Sequence, residues 1–118
     1  MELGRFSLSL AVKDMDASLD FYQKLGFEIV DGGHMRENFP DGENSSWRIL
    51  QHDSVIVGLF SGMFDHNIMT FNPTNIMDLQ SKLKAAGVNF VSEASDEDGK
   101  RFAVIHDPDG NEILLDQH

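Results

Sequence analysis

The sequence contains no cysteine. That excludes disulfides, thiolate nucleophiles and zinc-thiolate sites, and it fits a reducing compartment. Basic residues are scarce as well, 9 against 20 acidic ones, which leaves a formal net charge of -11. A phosphate-rich partner would meet a repulsive field, so nucleic acid and anionic membrane are excluded as expected partners. No apolar run approaches the roughly 20 residues of a membrane-spanning helix. Met1 is followed by Glu2 rather than by a basic and then apolar leader, so the expected location is cytoplasmic. What is present is globular composition, 41% hydrophobic and 25% charged, on 118 residues that suit one compact domain. The acids concentrate in Asp31 to Glu43 and Glu93 to Asp98, which read as solvated loops.

Hydropathy alternates with period two from Phe6 to Val12, so Phe6, Leu8, Leu10 and Val12 share one face of a strand, with Ser7, Ser9 and Ala11 on the other. Asp14 or Asp16 can cap a helix in which Met15, Leu19, Tyr22 and, one position off, Leu25 recur at helical spacing, and Gly26 ends it. Phe27 to Val30 reads as a second strand. A long polar connection follows, from Gly32-Gly33 to Ser46. Trp47 to Gln51 and Ser54 to Phe60 read as two further strands joined at His52-Asp53.

The pattern then repeats. Asn67 to Phe71 is strand-like, and Pro73-Thr74-Asn75 opens a helix with Ile76, Leu79, Leu83 and Ala86 on one face. Gly87 ends that helix. Val88 to Val91, Arg101 to His106 and Glu112 to Leu115 supply three more strands, the last two joined by the turn Asp107-Pro108-Asp109-Gly110. Leu25-Gly26-Phe27-Glu28-Ile29-Val30 aligns with Ala86-Gly87-Val88-Asn89-Phe90-Val91 without a gap, and the same interval places Leu10 on Phe71. The expected class is α+β, built from two βαβββ modules, residues 1-62 and 63-118, with the join at Phe60-Ser61-Gly62-Met63-Phe64.

The stretch Asp14-Met15-Asp16-Ala17-Ser18-Leu19-Asp20-Phe21-Tyr22, followed by Leu25-Gly26-Phe27 and later by Asp107-Pro108-Asp109-Gly110-Asn111, resembles the vicinal-oxygen-chelate superfamily, which includes glyoxalase I, bleomycin-resistance proteins and extradiol dioxygenases. The resemblance covers nearly the whole chain. It implies that the modules form a curled mixed sheet, a half-barrel with helices on the convex side and a ligand pocket on the concave side. It also implies metal ligands in the first and last strand of each module. Carried over by motif, those positions fall on Ser7, on Gly58 or neighbouring Val57, on His66 and on Leu114. Only His66 is a residue that binds a divalent ion, and such sites need about three protein ligands. No metal or other cofactor is therefore expected.

Strand geometry puts His66, Ile68, Thr70 and Asn72 on one face, and Glu112, Leu114 and Asp116 on one face of the last strand. With Ser7, Ser9, Ile56, Gly58 and Phe60 they are the expected pocket lining, a mixture of small, apolar and hydrogen-bonding groups suited to a modest organic ligand. Trp47, with Phe39, reads either as core or as a stacking surface. The expected function is binding of a small organic molecule, with a cation favoured by the net charge. The alternative is a lyase or isomerase in which His66 works as an acid-base group with Asp116 or Glu112, or in which His66, Glu112, Asp116 and His118 hold an atypical metal. His34, His52 and His106 read as loop, hairpin and half-buried residues, and Met63 and Met69 as packing. Because a half-barrel leaves sheet edges open, a homodimer is expected.

Overall fold

The computed structural model describes residues 1-117, so His118, the outermost member of the atypical metal set, lies outside the described residues. Among the described residues there are seven strands and two helices: β1 (Arg5–Ala11), α1 (Met15–Lys24), β2 (Glu28–Gly32), β3 (Ser46–His52), β4 (Val55–Ser61), β5 (Ile68–Asn72), α2 (Ile76–Ala85), β6 (Phe102–His106) and β7 (Glu112–Asp116). They fall into two compact units, Ser7–Asn67, and Met1–Phe6 with the chain from Ile68 onward.

In the unit Ser7–Asn67 the strands lie in the order β2-β3-β4-β1. β1 runs parallel to β4, while β2, β3 and β4 form an antiparallel meander. One sheet face packs on α1: Leu50, Val57 and Leu59 are buried against Leu10, Met15, Leu19, Tyr22 and Phe27. Asp14, not Asp16, caps the helix, accepting from Ala17 N at 3.1 Å. Leu25 does not join the apolar stripe. It falls one position past the helix and is 55% exposed.

The other unit carries β5-β7-β6, with β5 parallel and β6 antiparallel to β7. Ile76, Leu79, Ala94, Ala103 and Leu115 form its core beneath α2, which Asn75 caps by accepting from Asp78 N. Buried Gln80 ties the following segment down, exchanging two hydrogen bonds with the backbone of Ala94. The expected strand Val88 to Val91 does not form. Val91 N and Ser92 N both donate to the single carbonyl of Val104, so this segment makes only an isolated bridge. Both helices end the same way: Phe27 N donates to Tyr22 O and Val88 N to Leu83 O across Gly26 and Gly87, which have φ of 101 and 91. The internal repeat is therefore written in helix-terminating hydrogen bonds as well as in residue types. No described helix is long and apolar enough to cross a membrane.

Candidate functional site

Cross-strand register decides which side chains share the sheet face turned away from α1. Ser9 pairs with Gly58, Gly58 with Ile49, and Trp47 with Phe60. Paired residues point to the same side, so Ser7, Ser9, Trp47, Ile49, Ile56, Gly58 and Phe60 lie together. Val57 points the other way, into the α1 core. The two placements left open for the fourth-strand position thus resolve onto Gly58.

That position is covered by an aromatic ring. A Cβ built on Gly58 would stand 2.5 Å from Phe60 Cε2 and 3.2 Å from Ile49 Cδ1. Phe60, two residues along the same strand, lays its ring back over the glycine, and any larger residue at 58 would have to displace it. Ser7 is half-buried and Ser9 is buried.

Phe60 belongs to a line of rings. Phe39 stacks on Trp47 with centroids 5.4 Å apart, Trp47 lies parallel to Phe60 at 6.4 Å, Phe60 meets Phe64 at 5.2 Å, and Phe64 meets His66 at 6.4 Å. Trp47 is 8% exposed and Phe39 50%. The cover comes from the polar connection between β2 and β3, which folds back onto the start of β3. Trp47 Nε1 donates to the carbonyl of Phe39 at 2.8 Å. Asp41 Oδ1 accepts from Trp47 N at 3.3 Å and from Arg48 NH1 at 3.0 Å, and its Oδ2 pairs with Arg48 NH2 at 2.9 Å. This two-pronged pair is the geometry in which a guanidinium binds a carboxylate best.

The Arg48 guanidinium holds the Asp41 carboxyl below its ordinary 3.8, with help from the backbone N–H of Trp47. Arg36 does the same to Asp31. A depressed folded-state pKa contributes stability that is complete above the ordinary carboxylate range and is lost as the pH falls through the folded value. The expected result is a blue-shifted Trp47 emission that moves to the red as the pH is lowered past the ordinary carboxyl value of 3.8 and through the depressed folded value beneath it. Asp41→Asn should be red-shifted already at neutral pH and change less on acidification. An unaltered titration in that variant would show that Asp41 does not hold the loop on Trp47.

His66 lies two residues before β5, in the unit that contains Trp47, and its imidazole is 51% exposed. Its Nδ1 stands 2.9 Å from Asp65 Oδ1, and this contact holds the Asp65 carboxyl below its ordinary range. Asp65 was missed by sequence reasoning, although direct adjacency was the available signal. The internal repeat holds a second missed signal. The interval that carries Leu10 onto Phe71 carries Ser7 onto Ile68, which is buried, and not onto His66.

In the other unit, Thr70 pairs with Leu114 and Leu114 with Val104, while Met69, Phe71, Ile113 and Leu115 occupy the opposite face. The face turned away from α2 thus carries Ile68, Thr70, Leu114, Glu112 and Asp116. Glu112 Oε1 lies 3.8 Å from His106 Nε2, its cross-strand neighbour, and Asn72 Nδ2 donates to the Asp116 carbonyl. Among the described residues no three His, Asp or Glu side chains gather into a group that could hold a metal ion. The donor types Ser7, Gly58 beneath the Phe60 ring, and Leu114 do not fit a divalent ion.

Comparison with known proteins agrees with this architecture. The family model of the glyoxalase/bleomycin resistance protein/dioxygenase superfamily matches residues 4–115. The chain is similar in fold to a superfamily member from Vibrio splendidus 12B01, at 19% identity and a TM-score of 0.62 over 97% of this chain and 98% of that one. It is similar to methylmalonyl-CoA epimerase from Mycobacterium tuberculosis at 16% identity and a TM-score of 0.69, covering 99% and 90%. A catechol 2,3-dioxygenase matches at 24% identity and a TM-score of 0.56, over 98% of this chain and 40% of that one. No curated protein sequence matches the chain. A family model that spans almost every residue, on an α+β fold shared with these structures, gives the conclusion: the chain belongs to the glyoxalase/bleomycin resistance protein/dioxygenase superfamily.

Proposed function

We propose that the protein binds a small organic molecule without a metal, using the sheet face of the Ser7–Asn67 unit that is turned away from α1. The observation that carries this reading is the Phe60 ring packed over Gly58, where the resemblance calls for a metal-binding carboxylate. An aromatic floor flanked by Ser7 and Ser9 offers stacking and hydrogen bonding, and no donor set for a divalent ion. The net charge of -11 favours cationic ligands by steering.

A thermal-shift panel of small planar cations, anions and neutral molecules, run with metal analysis of the purified protein, tests this. The expected result is concentration-dependent stabilisation by at least one organic class, as binding to the native state alone requires. Metal content should be substoichiometric and unchanged by His66→Ala. Stoichiometric Zn, Ni, Mn or Fe that His66→Ala removes would overturn the metal-free reading.

The Asp65 carboxylate at 2.9 Å from His66 favours a second reading, an acid-base enzyme of the lyase or isomerase type. A carboxylate at that distance fixes the ring orientation, as an acid-base imidazole requires. In this reading Asp65 is the carboxylate that serves His66, and turnover abolished by His66→Ala with ligand binding intact is the result that selects it.

A further inference from the structure

The connection between β2 and β3 does more than cap the sheet. It places a flat apolar ring, Phe39, on the sole tryptophan of the chain, and it anchors that ring through the Trp47 Nε1 bond to the Phe39 carbonyl and through the Asp41 carboxylate beside it. The cover is thin: Phe39 is 50% exposed whereas the indole beneath it is 8% exposed. We infer that residues 33-45 form a lid in which Phe39 stands in for a ligand ring, and that a planar cation takes its place on Trp47.

Three observations select that class. The indole is the best cation-π acceptor among the side chains, and Phe39 shows that a six-membered ring fits against it. The guanidiniums of Arg36 and Arg48 are already engaged, with Asp31 and Asp41, so the acidic residues that residues 33-45 carry beyond these pairs are Glu37 and Glu43. Phe39 lies between two fixed points, Arg36 paired with Asp31 on one side and Asp41 paired with Arg48 on the other, so the short stretch between them can release the ring while both pairs stay in place.

This inference rests on the small-molecule reading above, and the experiment separates the two. Quenching of Trp47 fluorescence is titrated with 1-methylquinolinium, quinoline-2-carboxylate and tetramethylammonium, on the unaltered chain, Phe39→Ala and Phe39→Leu. Removing an intramolecular competitor leaves the site open more of the time, so Phe39→Ala should bind 1-methylquinolinium about three- to tenfold more tightly, the range expected for one lost aromatic stack. Phe39→Leu, which keeps apolar cover without a flat ring, should fall between. The carboxylate and the non-planar cation should bind more weakly to all three proteins. If 1-methylquinolinium binds but Phe39→Ala is unchanged or weaker, Phe39 is a wall of the site and the lid is overturned while the binding reading stands. Preference for the carboxylate overturns the ligand class. If none of the three proteins responds to 1-methylquinolinium the inference falls, and the wider reading falls with it only when the thermal-shift panel is silent too.

Discussion

Trp47→Ala is expected to destabilise the protein by about 3–5 kcal/mol, the usual cost of deleting a large buried aromatic side chain. The indole is packed against Phe39 and Phe60 and donates its N–H to the Phe39 carbonyl, so truncation removes two aromatic contacts and one hydrogen bond together. It also strips the lid of its seat. For a domain of this size each kcal/mol corresponds to roughly 3–5 °C in Tm, so a fall of at least about 10 °C is expected. Trp47→Phe keeps a ring and loses the Nε1 donor, and should cost about 1–2 kcal/mol. Urea unfolding followed by far-ultraviolet circular dichroism reads both variants. A Trp47→Ala protein within about 1 kcal/mol of the unaltered chain would mean that the indole is not packed as described.

The second large effect is at the end of β4. Gly62 has φ +76, and a Cβ there would stand 2.0 Å from the Asn44 carbonyl oxygen and 3.3 Å from Ser45 Cα. Gly62→Ala must both adopt a left-handed backbone, at about 1–2 kcal/mol, and push away main chain rather than a flexible side chain, at about 1–3 kcal/mol more. Gly87 separates these contributions. Its φ is +91 but nothing lies within 4 Å of a Cβ placed there, so Gly87→Ala should cost only the backbone strain of about 1–2 kcal/mol. Equal losses for the two variants would show that crowding against Asn44 contributes nothing. Because Asn44 and Ser45 are the last residues before β3, Gly62→Ala should also disturb the lid and shift Trp47 emission, which Gly87→Ala should not.

Much of the fold is legible in the sequence because the signals concerned are local. Alternation along β1 depends only on the two-residue repeat of a strand, and the helix stripes through Met15, Leu19 and Tyr22 or Ile76, Leu79 and Leu83 only on the 3.6-residue turn. Asp14 and Asn75 cap their own helices, and Gly26 and Gly87 end them, through bonds within a few residues. Where locality failed, the prediction failed too. Val88 to Val91 has the composition of a strand, yet only one partner carbonyl, that of Val104, is within reach.

The sequence by itself determined the α+β class, the internal repeat, the superfamily and the poverty of metal ligands at Ser7, Gly58 and Leu114, since each rests on residue types at fixed spacings. Only the tertiary structure decided that Gly58, rather than Val57, faces away from α1 and lies under Phe60, because a one-residue change of register exchanges the two faces of a strand. It alone seated Phe39 on Trp47, through a loop closed by the Asp41-Arg48 pair. Loop closure and cross-strand register join residues distant along the chain, and no period in the sequence encodes them.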